Sequence, residues 1–169
     1  ALPPGFQSFQ RSWLVVYLLA MFSDWLQGPY VYALYSSRGF SSTQIAHLFI
    51  TGFGSSMIFG SLIGGVTDTV GRKKMSLLFA VLYSVSALTK LGHNFYILLV
   101  GRFLSGMATS LLFSVFESWM VCEHNKRGFP AELIGDTFAK ATAGNGFCAV
   151  IAGLVASQLA ENFGFVSPF

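Results

Sequence analysis

The chain has 169 residues, 53% of them hydrophobic, 16% aromatic and only 10% charged, with a mean hydropathy of +0.61. That balance excludes a disordered chain and leaves too few polar side chains to cover a soluble domain, so lipid is the solvent it fits. Ten basic residues against seven acidic ones give a net charge of +3, but the cations stand in short clusters between apolar runs, not in the aromatic-interleaved stripe that nucleic acid requires.

Five apolar segments follow one another, at 12–35, 44–66, 75–92, 95–121 and 133–160. Each is long enough to cross a hydrocarbon core roughly 30 Å thick. The predicted fold class is therefore all-α, a polytopic transmembrane helix bundle. The first segment carries Gly28-Pro29 in its outer half, where the missing amide and the ring should bend the helix. The second has small residues every four positions, at Gly52, Ser56, Gly60 and Gly64, and His47 near its outer end suits an interfacial position. A tight loop over 67–74, ending in the basic stretch Gly71-Arg72-Lys73-Lys74, is expected before the third segment, on the same side as a loop near 122–132. The fourth repeats the small-residue stripe at Gly106, Ser110, Ser114 and Ser118, and the fifth at Ala141, Asn145, Ala149, Gly153 and Ser157. Such stripes let helix backbones approach closely.

Lys and Arg collect in cytoplasmic loops. With the N-terminus inside, Arg11, Arg72, Lys73, Lys74, Lys126 and Arg127 lie on the inner side and only Arg38 and Lys90 on the outer. Five spans then leave Ser167-Pro168-Phe169 outside, so a sixth span is expected beyond this chain. Ala1 at the start, and a first apolar run too long for a signal peptide, point to an internal piece of a longer protein. Cys122 and Cys148 form no CxxC or Cys/His spacing, and no catalytic, nucleotide or dinucleotide motif occurs, so neither metal, cofactor nor enzymatic activity is expected.

Ionisable groups inside a span need a partner or a wet cavity. Four qualify: Asp24, Arg102, Glu117 and Lys140. Counted along the helices, Asp24 and Arg102 come to a similar depth, about 18 Å from the inner face, and Glu117 and Lys140 lie about 6 and 10 Å from it. Two pairs are thus expected, Asp24 with Arg102 and Glu117 with Lys140. Either pair can be a structural lock between helices or part of a polar pathway. Gln27, on the same face as Asp24, and Asn145, near the middle of the fifth span, favour the pathway.

The stretch Gly64-x-x-x-Asp68-x-x-Gly71-Arg72-Lys73 resembles the cytoplasmic loop motif of the major facilitator superfamily, and Arg102-x-x-x-Gly106 is similar to that superfamily's arginine and glycine on the fourth helix. The fifth segment departs from the antiporter pattern, with Gly144-Asn145-Gly146 where Gly-Pro usually stands. Longer matches run through Asp24–Tyr32, Phe116-Glu117-Ser118-Trp119, Glu123–Arg127 and Thr137–Ala141, and resemble the molybdate-anion transporter branch. The resemblance implies a twelve-span, alternating-access transporter of which this chain is most of the N-terminal half, completed by a C-terminal half. It implies a small anionic substrate, molybdate or a similar oxyanion, and a membrane location, the cell membrane before an organelle. Asp24, Gln27, Arg102, Glu117, Lys140 and Asn145 would form the substrate pathway. Gly64, Asp68, Gly71, Arg72 and Lys73 would form a cytoplasmic gate, in which Asp68 and Arg72 form a charge cluster with Glu123 or a neighbour at the inner end of the fourth span. Asp24 and Glu117 would repel an anion, so they fit a lock on the cations or a proton-coupling role. The alternative is a non-transporting relative acting as a membrane scaffold, receptor or subunit of a complex.

Overall fold

The computed structural model describes residues 2–169, and among these the chain is helical throughout, with short turns and no strand. Six α-helices follow in order: α1 (Phe6–Gln27), α2 (Val31–Ser37), α3 (Ser42–Val70), α4 (Arg72–Thr89), α5 (Phe95–Lys126) and α6 (Glu132–Phe163). A single 3-10 turn, Gly28–Tyr30, joins α1 to α2. This is the interruption expected of Gly28-Pro29, because Pro29 can donate no amide to the helix ladder.

Helix starts follow local chemistry. Ser41 and Gln44 cap α3 reciprocally, each side chain bonding the other's backbone amide. The Asn94 side chain accepts from the amides of Tyr96 and Ile97 at the start of α5. The largest difference from expectation lies between α3 and α4. Residues 67–74 are not a loop: Thr67 to Val70 complete α3, Arg72 to Lys74 begin α4, and Gly71 alone forms the corner. Gly71 adopts φ 97° and ψ 137°, a conformation that side chains with a Cβ resist, so one residue can turn the chain.

Three helices, α3, α5 and α6, are long and apolar enough by length and composition to cross a membrane. By contrast α1 contains several polar residues and stops at Gln27, and α4 spends its first turn on Arg72, Lys73 and Lys74. Packing centres on α5, which meets α3 and α4 along its length, while α6 packs on α1. The small-residue stripes of α3 and α5 face each other: Ser110 Oγ donates to the Ser56 carbonyl at 2.7 Å, and Ser55 Oγ to that of Phe103 at 3.2 Å. A Cβ on Gly106 would run into Ser55 Oγ and the Gly52 carbonyl. On α6 the buried line runs through Ala141, Ala152, Ala156 and Ala160; of the stripe expected there, only Ala141 is buried.

Two apolar cores result. One is built around Trp13, Phe79, Phe116 and Met120 near the basic end. The other, around Leu34, Tyr35, Leu48 and Leu98, closes the far end with Val166 and Phe169. Outside them, Met57, Phe53, Leu88, Leu154 and Phe147 are among many exposed large apolar side chains. That surface suits hydrocarbon or another helix layer.

Candidate functional site

Where the two cores meet, a cavity of about 300 Å³ opens among α1, α3, α4 and α5. Its polar lining comes from Asp24, Gln27, Ser56, Tyr83, Arg102 and Thr109, and its apolar wall from Phe49, Phe53 and Phe113. Three of the six residues expected on the pathway therefore converge here. Asp24 and Gln27 share a face of α1, and Arg102 reaches in from the first third of α5. Gly52 makes the room for it. A Cβ at that position would stand 2.5 Å from Arg102 Nη2 and 2.8 Å from Cζ.

Asp24 and Arg102 line one cavity but form no ion pair. Among the described residues the ion pairs are Asp68–Arg72, Glu123–Arg127 and Asp136–Lys140, each spaced four residues apart. The Tyr83 hydroxyl donates to Asp24 Oδ1 at 2.9 Å, a charge-assisted bond that holds the carboxylate. Arg102 Nε donates to the Leu48 carbonyl at 3.3 Å, and the guanidinium lies 5.2 Å from the centroid of Phe49. Among the described residues its Nη groups make no hydrogen bond; Nη2 packs against Gly52, and the side chain lines the cavity that Gln27 and Asp24 also border. Depth along a helix fixed which residues would be neighbours, but not which partner each would take.

The second expected pair is also replaced. Lys140 Nζ donates to Asp136 Oδ2 at 2.8 Å and to Gln10 Oε1 at 3.0 Å. Gln10, buried, in turn donates to Asp136 and to Thr137 Oγ1. This network ties α1 to α6, and Asp136 lies one turn before Lys140 on its own helix, where an acidic residue is best placed to capture it. Glu117 is exposed and lines a separate cavity of about 620 Å³ with Arg72, Ser114, Asn125 and Phe138. Asn145 accepts from Trp25 Nε1 at 2.9 Å, beside Asp24 in sequence.

At the basic end, Arg72 Nη2 bonds Asp68 Oδ1 at 2.8 Å, Nε bonds Ser118 Oγ at 2.9 Å, and Nη1 approaches Cys122 Sγ at 3.3 Å. The corner between α3 and α4 is thus clamped to the end of α5, and both basic clusters stand at the same end of the bundle. Of the partners expected for Arg72 on α5, Glu123 instead pairs with Arg127 at 3.0 Å, and the neighbours that do meet Arg72 are Ser118 and Cys122, neither of them acidic. Gly64 is exposed and Lys73 is exposed at the same end.

Tyr83, Gln10 and Asp136 were not singled out by sequence. Asp136 could have been found from its four-residue spacing to Lys140, whereas a tyrosine or glutamine in an apolar run carries no charge to flag it. Lys90 is a further case: expected at the outer surface, it is buried at the end of α4 with Nζ on the Ser86 carbonyl at 3.3 Å and over the Phe169 ring at 5.6 Å. A cation suits the carbonyl-rich end of a helix.

Fold and cavity together define an all-α membrane bundle with a pocket between its helices that holds one acidic and one basic side chain, Asp24 and Arg102. Over residues 1–169 the chain matches the family model described as sugar transporters with 12 transmembrane segments. It belongs to this family of the major facilitator superfamily. It is 45% identical to the molybdate-anion transporter of Takifugu rubripes over 100% of the chain, 44% identical to that of Danio rerio over 98%, and 43% identical to that of Xenopus tropicalis over 95%. The chain spans only 35 to 36% of the length of these relatives. No solved structure matches it.

Proposed function

We propose that the chain forms most of the N-terminal half of an alternating-access transporter that moves a small oxyanion, molybdate or a close analogue, and that Arg102 is its principal anion ligand. The observation that carries this reading is the cation itself. Arg102 lines a cavity inside an apolar bundle, and among the described residues no carboxylate forms an ion pair with it and its Nη groups make no hydrogen bond. A guanidinium in that position is costly unless an anion receives it. Its fork of donors matches two oxygens of a tetrahedral oxyanion, and the Gln27 amide adds a neutral donor from the facing helix. The relatives' names give the substrate class, an oxyanion of molybdenum.

The Tyr83 hydroxyl donates to one Asp24 oxygen, Oδ1, and in this reading the carboxylate and the substrate occupy one cavity on different donors. Glu117 borders the route toward the basic end, while Lys140 and Asn145 hold α6 against α1 at the positions where those helices flank the route. The basic end is cytoplasmic in this account, with the Asp68–Arg72 clamp as one half of the gate there. The missing half supplies the other wall, and the membrane is the cell membrane. In proteoliposomes holding the full-length protein, Arg102→Ala should abolish saturable molybdate uptake while the purified variant keeps its fold. Uptake that persists unchanged would overturn the assignment.

A further inference from the structure

Two cavities apart from the one that holds Arg102 border each other at Lys73 and Trp119. At the basic end, a cleft of about 490 Å³ is walled by Arg72, Lys73, Lys126 and Arg127, with Glu123 the one acidic residue on its lining. Glu123 is already paired to Arg127, and Arg72 to Asp68. Lys73 and Lys126 are exposed and form no ion pair among the described residues. Lys73 and Trp119 also line the second cavity, of about 420 Å³, which continues along the bundle between α1 and α4 over α5. Its walls are almost wholly apolar: Val16, Ala20, Leu77, Ala80 and Phe116. Ala20 and Ala80 are small, and they leave a furrow rather than a ridge between the two helices.

We propose that this continuous groove binds one anionic glycerophospholipid of the cytoplasmic leaflet, its phosphate and acidic headgroup in the basic cleft and an acyl chain in the furrow. The two chemistries occur in the order a lipid presents them, charge at the membrane surface and hydrocarbon one to three helical turns deeper. Trp119 stands at the junction, where an amphipathic ring suits the headgroup boundary. Charge complementarity decides the class of lipid. A zwitterionic headgroup brings one phosphate together with its own ammonium and so cannot neutralise both Lys73 and Lys126, whereas an acidic headgroup adds net negative charge, which basic pockets between helices on the cytoplasmic side take up. A lipid seated there would brace the α3–α4 corner from outside, since Lys73 is the residue next to Arg72. The inference rests on the membrane location and orientation of the bundle, not on the identity of the transported substrate.

The test uses the full-length protein in nanodiscs, with phosphatidylserine or phosphatidylcholine as the probe and retained lipid counted by native mass spectrometry. Phosphatidylserine should be retained preferentially. Lys73→Gln with Lys126→Gln should reduce that preference by up to roughly 30-fold, from about fivefold per cation at the surface. Ala80→Phe, which fills the furrow and leaves every charge in place, should displace lipids of either headgroup. Equal retention of the two lipids by the unaltered protein would overturn the proposal. So would efficient disulfide cross-linking between Leu77→Cys and the C-terminal half, because the groove would then be filled by protein. Neither outcome tests whether Arg102 binds molybdate, so failure here is distinguishable from failure of the transport reading.

Discussion

Replacing Gly52 by alanine separates the role of Arg102 from the packing that surrounds it. The new Cβ would lie 2.5 Å from Nη2 and 2.8 Å from Cζ of Arg102, where ordinary contact begins near 3.4 Å. The guanidinium must therefore retreat by about 1 Å, and as the far end of a flexible side chain it can do so by changing its outer torsions. Stability should fall by no more than about 1 kcal/mol. Anion binding should suffer far more, since a displacement of about 1 Å in a positioning group can reduce a rate roughly 100-fold. Gly106→Ala supplies the contrast. Its Cβ would meet Ser55 Oγ, the Gly52 carbonyl and the Ser56 amide nitrogen at 2.9 Å, so backbone must move and α3 would be pushed off α5. That variant should lose about 1–3 kcal/mol as an overpacked interface. Thermal unfolding of the full-length protein in detergent, read beside molybdate uptake at several concentrations, distinguishes the two. The reasoning is refuted if Gly52→Ala unfolds as readily as Gly106→Ala, or if it transports with unaltered KM.

Tyr83→Phe removes the donor to Asp24 and should cost about 1–3 kcal/mol, with Asp24→Asn in the same chain restoring part of it; a thermal-shift series on the two single variants and the double one measures the coupling. Gly71→Ala forces a Cβ into φ 97° and should cost about 1–3 kcal/mol, and cysteine labelling at Cys122 should rise as the Arg72 clamp loosens. Gln10→Ala breaks the buried join between α1 and α6, and a loss of about 1 kcal/mol is expected, with hydrogen exchange quickening in both helices but not in α3.

Much of the architecture was legible because lipid imposes it. Apolar runs bounded by basic clusters gave the helices in order, and the small-residue stripes of α3 and α5 met as spacing required. What failed did so for local reasons. The stretch from Thr67 to Lys74 reads as a loop by its polarity, yet Thr67 returns its hydroxyl to the Ile63 carbonyl and Asp68 reaches Arg72, so the helices persist to either side of Gly71. Pairing across helices was the weakest inference. A depth count places Glu117 near Lys140, but Asp136, four residues away on the same helix, needs no interhelical fit to reach it. Arg102 and Asp24 line one cavity without pairing, and the tyrosine that bonds Asp24 had no sequence signal.

The account stands on Arg102 as an anion ligand rather than a structural counter-ion. The most direct measurement is molybdate uptake into proteoliposomes by the full-length protein carrying Arg102→Gln, alone and together with Asp24→Asn, with each variant's unfolding temperature recorded. The account predicts saturable uptake in the unaltered protein and none in either variant, the folded state being retained in both. Recovery of uptake in the double variant would contradict it, because Arg102 would then matter only for balancing Asp24.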